Sequence, residues 1–406
     1  MRELPSSNDR RPPFPSESVM ERLNEVASRL VDRQFYQLGY PFDQNLNLTG
    51  FYEWLVSTGL NRLTLINVSD PYKTTWDMLN TDEFECKTLD FLAESFGFAK
   101  DAAGERSHWG FITSGGTDGN MHGVYFGRKA LAAQSSHPPI LYVSSEAHYS
   151  VQKLGDVQNI ETRVIRSHPM GAMDVDDLRN QLDPSRPALV VLAVGGTFKG
   201  AIDDQRAVAA VLDEVKPVAV YKHLDVALFG GYLPWLDDPQ AREVVNASVM
   251  KFDSLAVSGH KFYALNEPAG AFLCRKEVLA SLHAMQVPYL NGAIPTISCS
   301  RSGFDALKFY WRIAVTGEEG FRSEARHILE MTDLLVTELR HRGVEPLVNR
   351  WSNTICFPRP ADNVVHEYSM ACTVCPHFGP LSHVVVMQFF TPKLIARLAD
   401  RIALTR

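Results

Sequence analysis

From Gly110 onward, apolar residues arrive in short, nearly unbroken runs, separated by stretches in which they recur every three or four positions. The runs are Trp109 to Thr113, Ile140 to Ser144, Thr162 to Ile165, Ala188 to Val194, Val218 to His223, Ser254 to Ser258 and Ala269 to Cys274. Between most of them lie helical stretches such as Gly119 to Ala133, Asp174 to Leu182 and Asp203 to Val215. A strand that is apolar at every position must be covered on both faces, so this alternation predicts an α/β protein with a mostly parallel central sheet between helical layers. Ligand sites in such sheets lie beyond the carboxyl ends of the strands. Polar residues at those ends therefore carry the functional information.

The flanks differ. Glu17 to Gln37 places Val19, Leu23, Val26, Leu30 and Val31 at helical spacing and predicts an amphipathic first helix, stopped by Leu38-Gly39-Tyr40-Pro41. Leu48 to Leu60 and Thr81 to Phe96 read as further helices, the second with a Thr/Asp cap and Glu83 three residues after Asn80. After Ser300 the alternation is lost. Glu318 to His341 reads as a long helix, Asn353 to Phe357 and Ser382 to Gln388 as strands, and Thr391 to Ile402 as a closing helix, which fits a smaller α+β domain. The expected division is an N-terminal arm and helices over 1–60, a large domain over 61–300 and a small C-terminal domain over 301–406.

Composition narrows the partners. The 406 residues are 45% hydrophobic and 21% charged with a formal charge of −7, which gives no electrostatic footprint for nucleic acid or an anionic membrane. No window approaches the roughly 18 uninterrupted apolar residues of a spanning helix. Met1 to Pro15 is rich in Arg, Ser and Pro, lacks the apolar core of a secretory signal, and reads as a flexible arm. Cys86, Cys274, Cys299, Cys356, Cys372 and Cys375 are scattered through a chain too large to need staples, so reduced thiols in the cytoplasm are expected. Cys372-Thr373-Val374-Cys375 has metal spacing, but no second such pair exists and His377 and His383 complete no zinc pattern, so no metal is expected.

Four features stand at predicted strand ends. Thr113-Ser114-Gly115-Gly116-Thr117-Asp118-Gly119-Asn120 is a glycine turn entering a helix, where close backbone amides, the helix terminus and the Thr117 hydroxyl make a phosphate seat. It is neither a Walker loop nor G-x-G-x-x-G, and a plain strand-to-helix turn accounts for it equally well. His148, in Glu146-Ala147-His148-Tyr149-Ser150, offers an imidazole to a flat ring, or serves as a structural cap. Asp225, in His223-Leu224-Asp225-Val226-Ala227, is a carboxylate on an apolar strand that must meet a cation, either a protonated pyridine or an ordinary Arg or Lys. Ser258-Gly259-His260-Lys261 places a lysine just past a buried strand, where it can form a Schiff base with an aldehyde cofactor. Singly each has a bland explanation. Together they are the parts that hold pyridoxal 5'-phosphate.

The chain resembles the group II pyridoxal-phosphate decarboxylases, and among them is most similar to bacterial histidine decarboxylases and plant serine decarboxylases. The resemblance runs through Leu38 to Pro41, Leu79-Asn80-Thr81-Asp82-Glu83-Phe84-Glu85, Thr113 to Asn120, His148 to Val151, Gly200 to Asp204, Asp225-x-Ala227-Leu228, Ser254 to Phe262, Ser300-Arg301-x-Gly303 and His383 to Met387. It implies the fold-type I architecture of aspartate aminotransferase and a carboxy-lyase activity on an L-amino acid. It also implies a role for each residue. Lys261 would carry the cofactor, His260 support its phosphate side, His148 stack on the ring and Asp225 meet the pyridine nitrogen. Ala227 would touch the opposite ring face, Gly116, Thr117 and Ser258 hold phosphate, and Thr197 stand beside the cofactor. Tyr289, in a lid-like loop, and Lys261 are the candidates for returning a proton to Cα. A homodimer clasped by the N-terminal helices is implied as well.

The sequence departs from its relatives at Gly195-Gly196-Thr197, where they have Gly-Thr-Thr, at Ser300-Arg301-Ser302-Gly303-Phe304, where they commonly read Ser-Arg-Asn-Gly-His, and in Tyr289 to Pro295. These changes bear on the substrate rather than the cofactor. L-histidine is the first-choice substrate. Serine or another small amino acid is the alternative, as is an aldehyde-forming oxidative decarboxylation on the same scaffold.

Overall fold

Seven of the apolar runs become one sheet in the computed structural model, which describes residues 14–404 apart from 69, 74–78, 99, 101–103, 283 and 291. The expected N-terminal arm lies outside the described residues except for Phe14 and Pro15. The strands are β1 (His108–Thr113), β2 (Ile140–Ser144), β3 (Glu161–Ile165), β4 (Ala188–Ala193), β5 (Val220–Asp225), β6 (Ser254–Ser258) and β7 (Gly270–Arg275), in spatial order β1-β7-β6-β5-β4-β2-β3. All run parallel except β7, which pairs antiparallel with both β1 and β6.

Every residue of β1, β2, β4 and β6 is buried. Alternate side chains leave a strand on opposite faces, and the two faces pack on different helices. Leu189 and Val191 join Val124 and Phe126 of the helix Gly116–Ala132 and Val151 and Leu154 of Tyr149–Val157. Val190 and Leu192 join Leu178 of Val175–Gln181 and Val208, Val211 and Leu212 of Gln205–Val215. The sheet is the α/β core that the unbroken runs call for.

The C-terminal part is less faithful to its sequence pattern. The long helix begins at Gly303, well before the expected Glu318, and ends at His341; Gly317, at φ +61°, interrupts it and hides its first half from a periodicity search. A smaller four-stranded antiparallel sheet has the order Leu347–Val348, Thr354–Pro358, Gly379–Val385, Ala371–Cys375. The last strand was not expected, and it contains the Cys372/Cys375 pair. Residues three apart on a strand face opposite ways: Cys372 Sγ is 3.1 Å from Ser382 Oγ, whereas Cys375 packs with Cys356 and Leu381. The expected cap at Thr81 also takes another form. Its hydroxyl donates to the Gly303 carbonyl (2.9 Å) and accepts from no amide of the helix Asp82–Ser95.

Two buried charge clusters fasten distant segments to the sheet. Glu85 accepts from the Ile112 amide (2.8 Å), from Asn67 Nδ2 (2.5 Å) and from Arg301 (3.2 Å), whose guanidinium lies 5.3 Å from the Phe111 ring centroid. This carboxylate joins the helix Asp82–Ser95, β1 and the strand Ser300–Ser302. Arg312 donates to the Tyr263 carbonyl (3.0 Å) and to Glu324, and Gln388 Nε2 donates to the Phe262 carbonyl (2.7 Å). The backbone immediately after Lys261 is thus held from the long helix and from the C-terminal part.

Removing one member of a buried pair leaves the other charge uncompensated, at a cost of about 3–5 kcal/mol. Glu85→Ala is expected to lose stability on that scale, measured as the shift in urea midpoint; a change under about 1 kcal/mol, the usual worth of an exposed pair, would contradict this reading of the cluster.

Candidate active site

The carboxyl ends of β1, β2, β4, β5 and β6 open onto one cavity of about 570 Å³. Each strand presents residues at or just past its own end: β1 the turn Ser114 to Thr117, β2 His148, β4 Thr197, β5 Asp225 and Ala227, and β6 Ser258, His260 and Lys261. Gly116, Thr117, His148, Thr197, Asp225, Ala227, Ser258, His260 and Lys261 all line it. Tyr289 does not. It stands 80% exposed between the short strands Met285–Val287 and Gly292–Ile294.

The glycine turn is shaped for close approach. Gly115 adopts φ +118°, and the helix starts at Gly116, where a Cβ would fall 2.6 Å from Ser258 Oγ and 3.4 Å from the Ala227 side chain. A glycine is therefore required for the first turn of the helix to sit against Ser258. The first-turn amides, Thr117 and Ser258 form a seat suited to an anion.

Asp225 is 8% exposed. Its Oδ2 accepts from Asn120 Nδ2 at 2.8 Å and its Oδ1 from the Ala227 amide at 3.2 Å, so the carboxylate is fixed at the cavity wall. His148 caps the helix Tyr149–Val157: its Nδ1 accepts from the Ser150 amide (3.3 Å) and lies 2.7 Å from Ser150 Oγ, which leaves the ring proton on Nε2. Burial lowers the pKa of His148, Asp225 works against that shift and Lys261 adds to it, so the ring is neutral. The Lys261 ammonium is likewise pulled below its usual range by burial, with Asp225 opposing. A neutral amine is the form that attacks an aldehyde. His260 Nδ1 is 3.0 Å from the Ala269 carbonyl, and burial lowers its pKa too.

The lysine sits on a closed loop. Ser258 and Gly270 are paired across β6 and β7, and inside that pair the Gly259 amide donates to the Ala269 carbonyl (2.7 Å) and the Ala264 amide to the Lys261 carbonyl (3.0 Å).

Some site residues had no assigned role from sequence. Asn120 lies one helical turn beyond Gly116, and that i, i+4 spacing after the glycine turn was the available signal. His383 stands on the small sheet, with Nδ1 2.7 Å from the Phe198 carbonyl and Nε2 3.0 Å from that of Gly39, joining two other stretches of the cavity wall. Only the three-dimensional pairing of remote segments exposes that role.

An anion seat, an imidazole, a fixed carboxylate and a buried amine around one cavity fit pyridoxal 5'-phosphate, and the space that a Cβ at Gly116 would fill fits the close passage of its phosphate. Residues 75–358 match the pyridoxal-dependent decarboxylase conserved domain. The histidine decarboxylase of Mesorhizobium japonicum is 30% identical over 386 residues, covering 94% of this chain and 95% of that protein. That of Solanum lycopersicum is 29% identical over 92% of this chain and 86% of its own length. Serine decarboxylase 1 of Oryza sativa subsp. japonica is 30% identical over 89% of this chain and 70% of its own. In structure the chain is similar to L-methionine decarboxylase from Streptomyces sp. 590, with a TM-score of 0.81 at 22% identity over 96% of each chain. It is also similar to Lactobacillus brevis glutamate decarboxylase, with a TM-score of 0.76 at 18% identity over 99% of this chain and 95% of that one. These two likenesses establish a shared fold, the fold-type I α/β architecture with its small C-terminal domain. The chain belongs to the pyridoxal-dependent decarboxylase family, and is a carboxy-lyase that uses pyridoxal 5'-phosphate to decarboxylate an amino acid.

Proposed function

We propose that the protein converts L-histidine to its amine and CO2. The observation that carries this is the character of the cavity wall apart from the residues assigned to the cofactor. It is built from Tyr40, Phe42, Phe198, Thr354 and His383, with the Phe198 and His383 rings 4.5 Å apart. Among the described lining residues the only acidic or basic groups besides histidine are Asp225 and Lys261. A substrate side chain bearing a full charge has no partner there and would pay its desolvation unrelieved. A flat, neutral heteroaromatic ring meets other rings and a hydroxyl. The histidine decarboxylases among the relatives support the same choice, and the rice serine decarboxylase supports a small amino acid as the alternative.

In this reading the chain's residues divide the work. Bound pyridoxal phosphate supplies the electron sink for the carbanion left when CO2 departs. Lys261, whose ammonium form burial disfavours, would hold the aldehyde carbon and release it to an incoming amine. Asp225 would accept a hydrogen bond from the ring nitrogen and favour its protonated form. His148 and Ala227 would hold the ring between them. Gly116, Thr117, Ser258 and His260 hold the phosphate end, and Thr197 stands beside the ring. Tyr289 or Lys261 returns a proton to Cα.

We further propose a homodimer. Val19, Leu23, Val26 and Leu30 share one face of the helix Glu17–Asp32, of which no residue is buried; Leu23 is 52% and Leu30 63% exposed. An apolar stripe of this kind calls for a covering surface, and a second copy of the chain would supply one. Among the described residues no helix is long and apolar enough to cross a membrane, and all six cysteines are free thiols, which supports the cytoplasm as the compartment.

Three measurements test these proposals. A screen of the twenty amino acids for CO2 release, with amine and aldehyde products quantified, should single out histidine and yield amine. Preference for a small or charged amino acid overturns the substrate assignment, and aldehyde with ammonia overturns the reaction. Lys261→Ala should abolish the visible absorbance band and cut turnover by on the order of 1,000-fold or more, whereas Tyr289→Phe should leave the band intact while lowering kcat by roughly 100-fold. A borohydride-reducible adduct persisting in Lys261→Ala would contradict its role. Light scattering should report a dimer that Leu23→Lys/Leu30→Lys weakens; an active monomer refutes the assembly.

A further inference from the structure

Asn120, which donates to Asp225, is itself the end of a longer buried row. Its Oδ1 lies 3.0 Å from His223 Nε2, His223 Nδ1 lies 2.8 Å from Ser254 Oγ, and Ser254 Oγ accepts from the Tyr221 hydroxyl at 2.8 Å. None of the four is more than 2% exposed. The fold aligns them. His223 and Asp225 are two apart on β5 and share a face, Ser254 is the β6 partner of His223, and Asn120 reaches down from the helix Gly116–Ala132. Space is reserved for the ring as well, since a Cβ on Gly123 of that helix would fall 2.3 Å from His223 ring atoms.

The direction of every bond is set by one fact: an ionised carboxylate only accepts. Asn120 must therefore turn its NH2 to Asp225 and its carbonyl to His223. That carbonyl needs the proton on Nε2. With the ring neutral, Nδ1 carries a lone pair, so Ser254 donates to it and in turn accepts from Tyr221. Protonating His223 would make Ser254 accept from both Nδ1–H and the Tyr221 O–H, which takes away the acceptor that its own hydroxyl proton has in the row. Burial opposes the charge in the same sense and brings the His223 pKa down to about 4.

We propose that Tyr221, Ser254, His223 and Asn120 form a one-way row of hydrogen-bond donors that keeps Asp225 an ionised, oriented acceptor for the cofactor's ring nitrogen, with His223 as a positioning residue fixed in its neutral Nε2–H form. The inference rests on the reading that Asp225 meets that nitrogen. What His223 supplies is the orientation of the Asn120 amide. Without a donor on its carbonyl side the amide can turn over and present to Asp225 an oxygen that a carboxylate cannot bond. Donors in series also polarise one another.

The test uses the holoenzyme carrying His223→Phe, Ser254→Ala, Asp225→Asn, or Asp225→Asn with His223→Phe, each checked for cofactor content. A hydrogen bond to a charged group is worth about one order of magnitude or more, so His223→Phe and Ser254→Ala should each lower kcat at least about tenfold with KM little moved, and should alter the visible band. In the Asp225→Asn background, His223→Phe should cost nothing further, because the row acts only through that carboxylate. Wild-type kcat and an unchanged band in both single variants overturn the row, and losses that add fully in the double variant overturn its routing through Asp225. An Asp225→Asn enzyme with undiminished kcat overturns the reading of Asp225 itself, whatever the row does. Should His223→Phe not fold, Tyr221→Phe removes one hydroxyl at the far end and should produce a smaller loss of the same kind. In histidine-15N-labelled holoenzyme at pH ~5.5, a full unit below the ordinary histidine value, the resonance displaced by Ser254→Ala should show a neutral ring protonated at Nε2. An imidazolium there refutes the proposal.

Discussion

A carboxylate at the end of an apolar strand is stable as an ion only where hydrogen-bond donors replace the water it has lost. Asp225 is in that position, and much of the surrounding architecture answers to it. The helix after the glycine turn must run close enough to β5 for Asn120 to reach the acid, which is why small residues recur along its inner face. Gly116 meets Ser258, Gly119 meets Ala256 and Gly123 meets His223, each at a distance where a Cβ would collide. The same approach places the first turn of the helix beside Ala227 and Ser258. The anion seat and the fixed carboxylate of Asp225 are thus two results of one packing requirement.

A second requirement is that segments far apart in the chain hold still together. The loop bearing Lys261 is fixed through the carbonyls of Phe262 and Tyr263 by Gln388 and Arg312. The cavity wall is closed by His383 bridging the carbonyls of Phe198 and Gly39. Residues from near both ends of the chain thereby contact a site whose chemistry comes from the middle. Loss of C-terminal packing would accordingly be felt at the active site as well as in global stability.

The central sheet was legible in the sequence because a strand covered on both faces has an unmistakable signature, and all seven runs became strands within about two residues at either end, the usual uncertainty of such boundaries. The strand-end motifs were legible only in combination, since each alone has an ordinary structural use. What stayed hidden has physical causes. The first half of the helix Gly303–His341 was masked by the break at Gly317. The strand Ala371–Cys375 is short, alternates between exposed and covered positions and puts its two cysteines on opposite faces. The union of Asn120 with Asp225 and of His383 with Gly39 depends on distances that no local pattern encodes. Tyr289 was one of two candidates, with Lys261, for the proton donor, yet within a single chain it stands in the open.

The reversal of β7 has a kinetic meaning. Because β7 runs back alongside β6, residues 259–269 leave and re-enter the sheet at adjacent hydrogen-bonded positions, Ser258 and Gly270. A short segment pinned at both feet has little conformational freedom to recover when released. The backbone around Lys261 is therefore held beside the cavity, and in the proposed cycle a released amine would stay within reach at a high effective concentration.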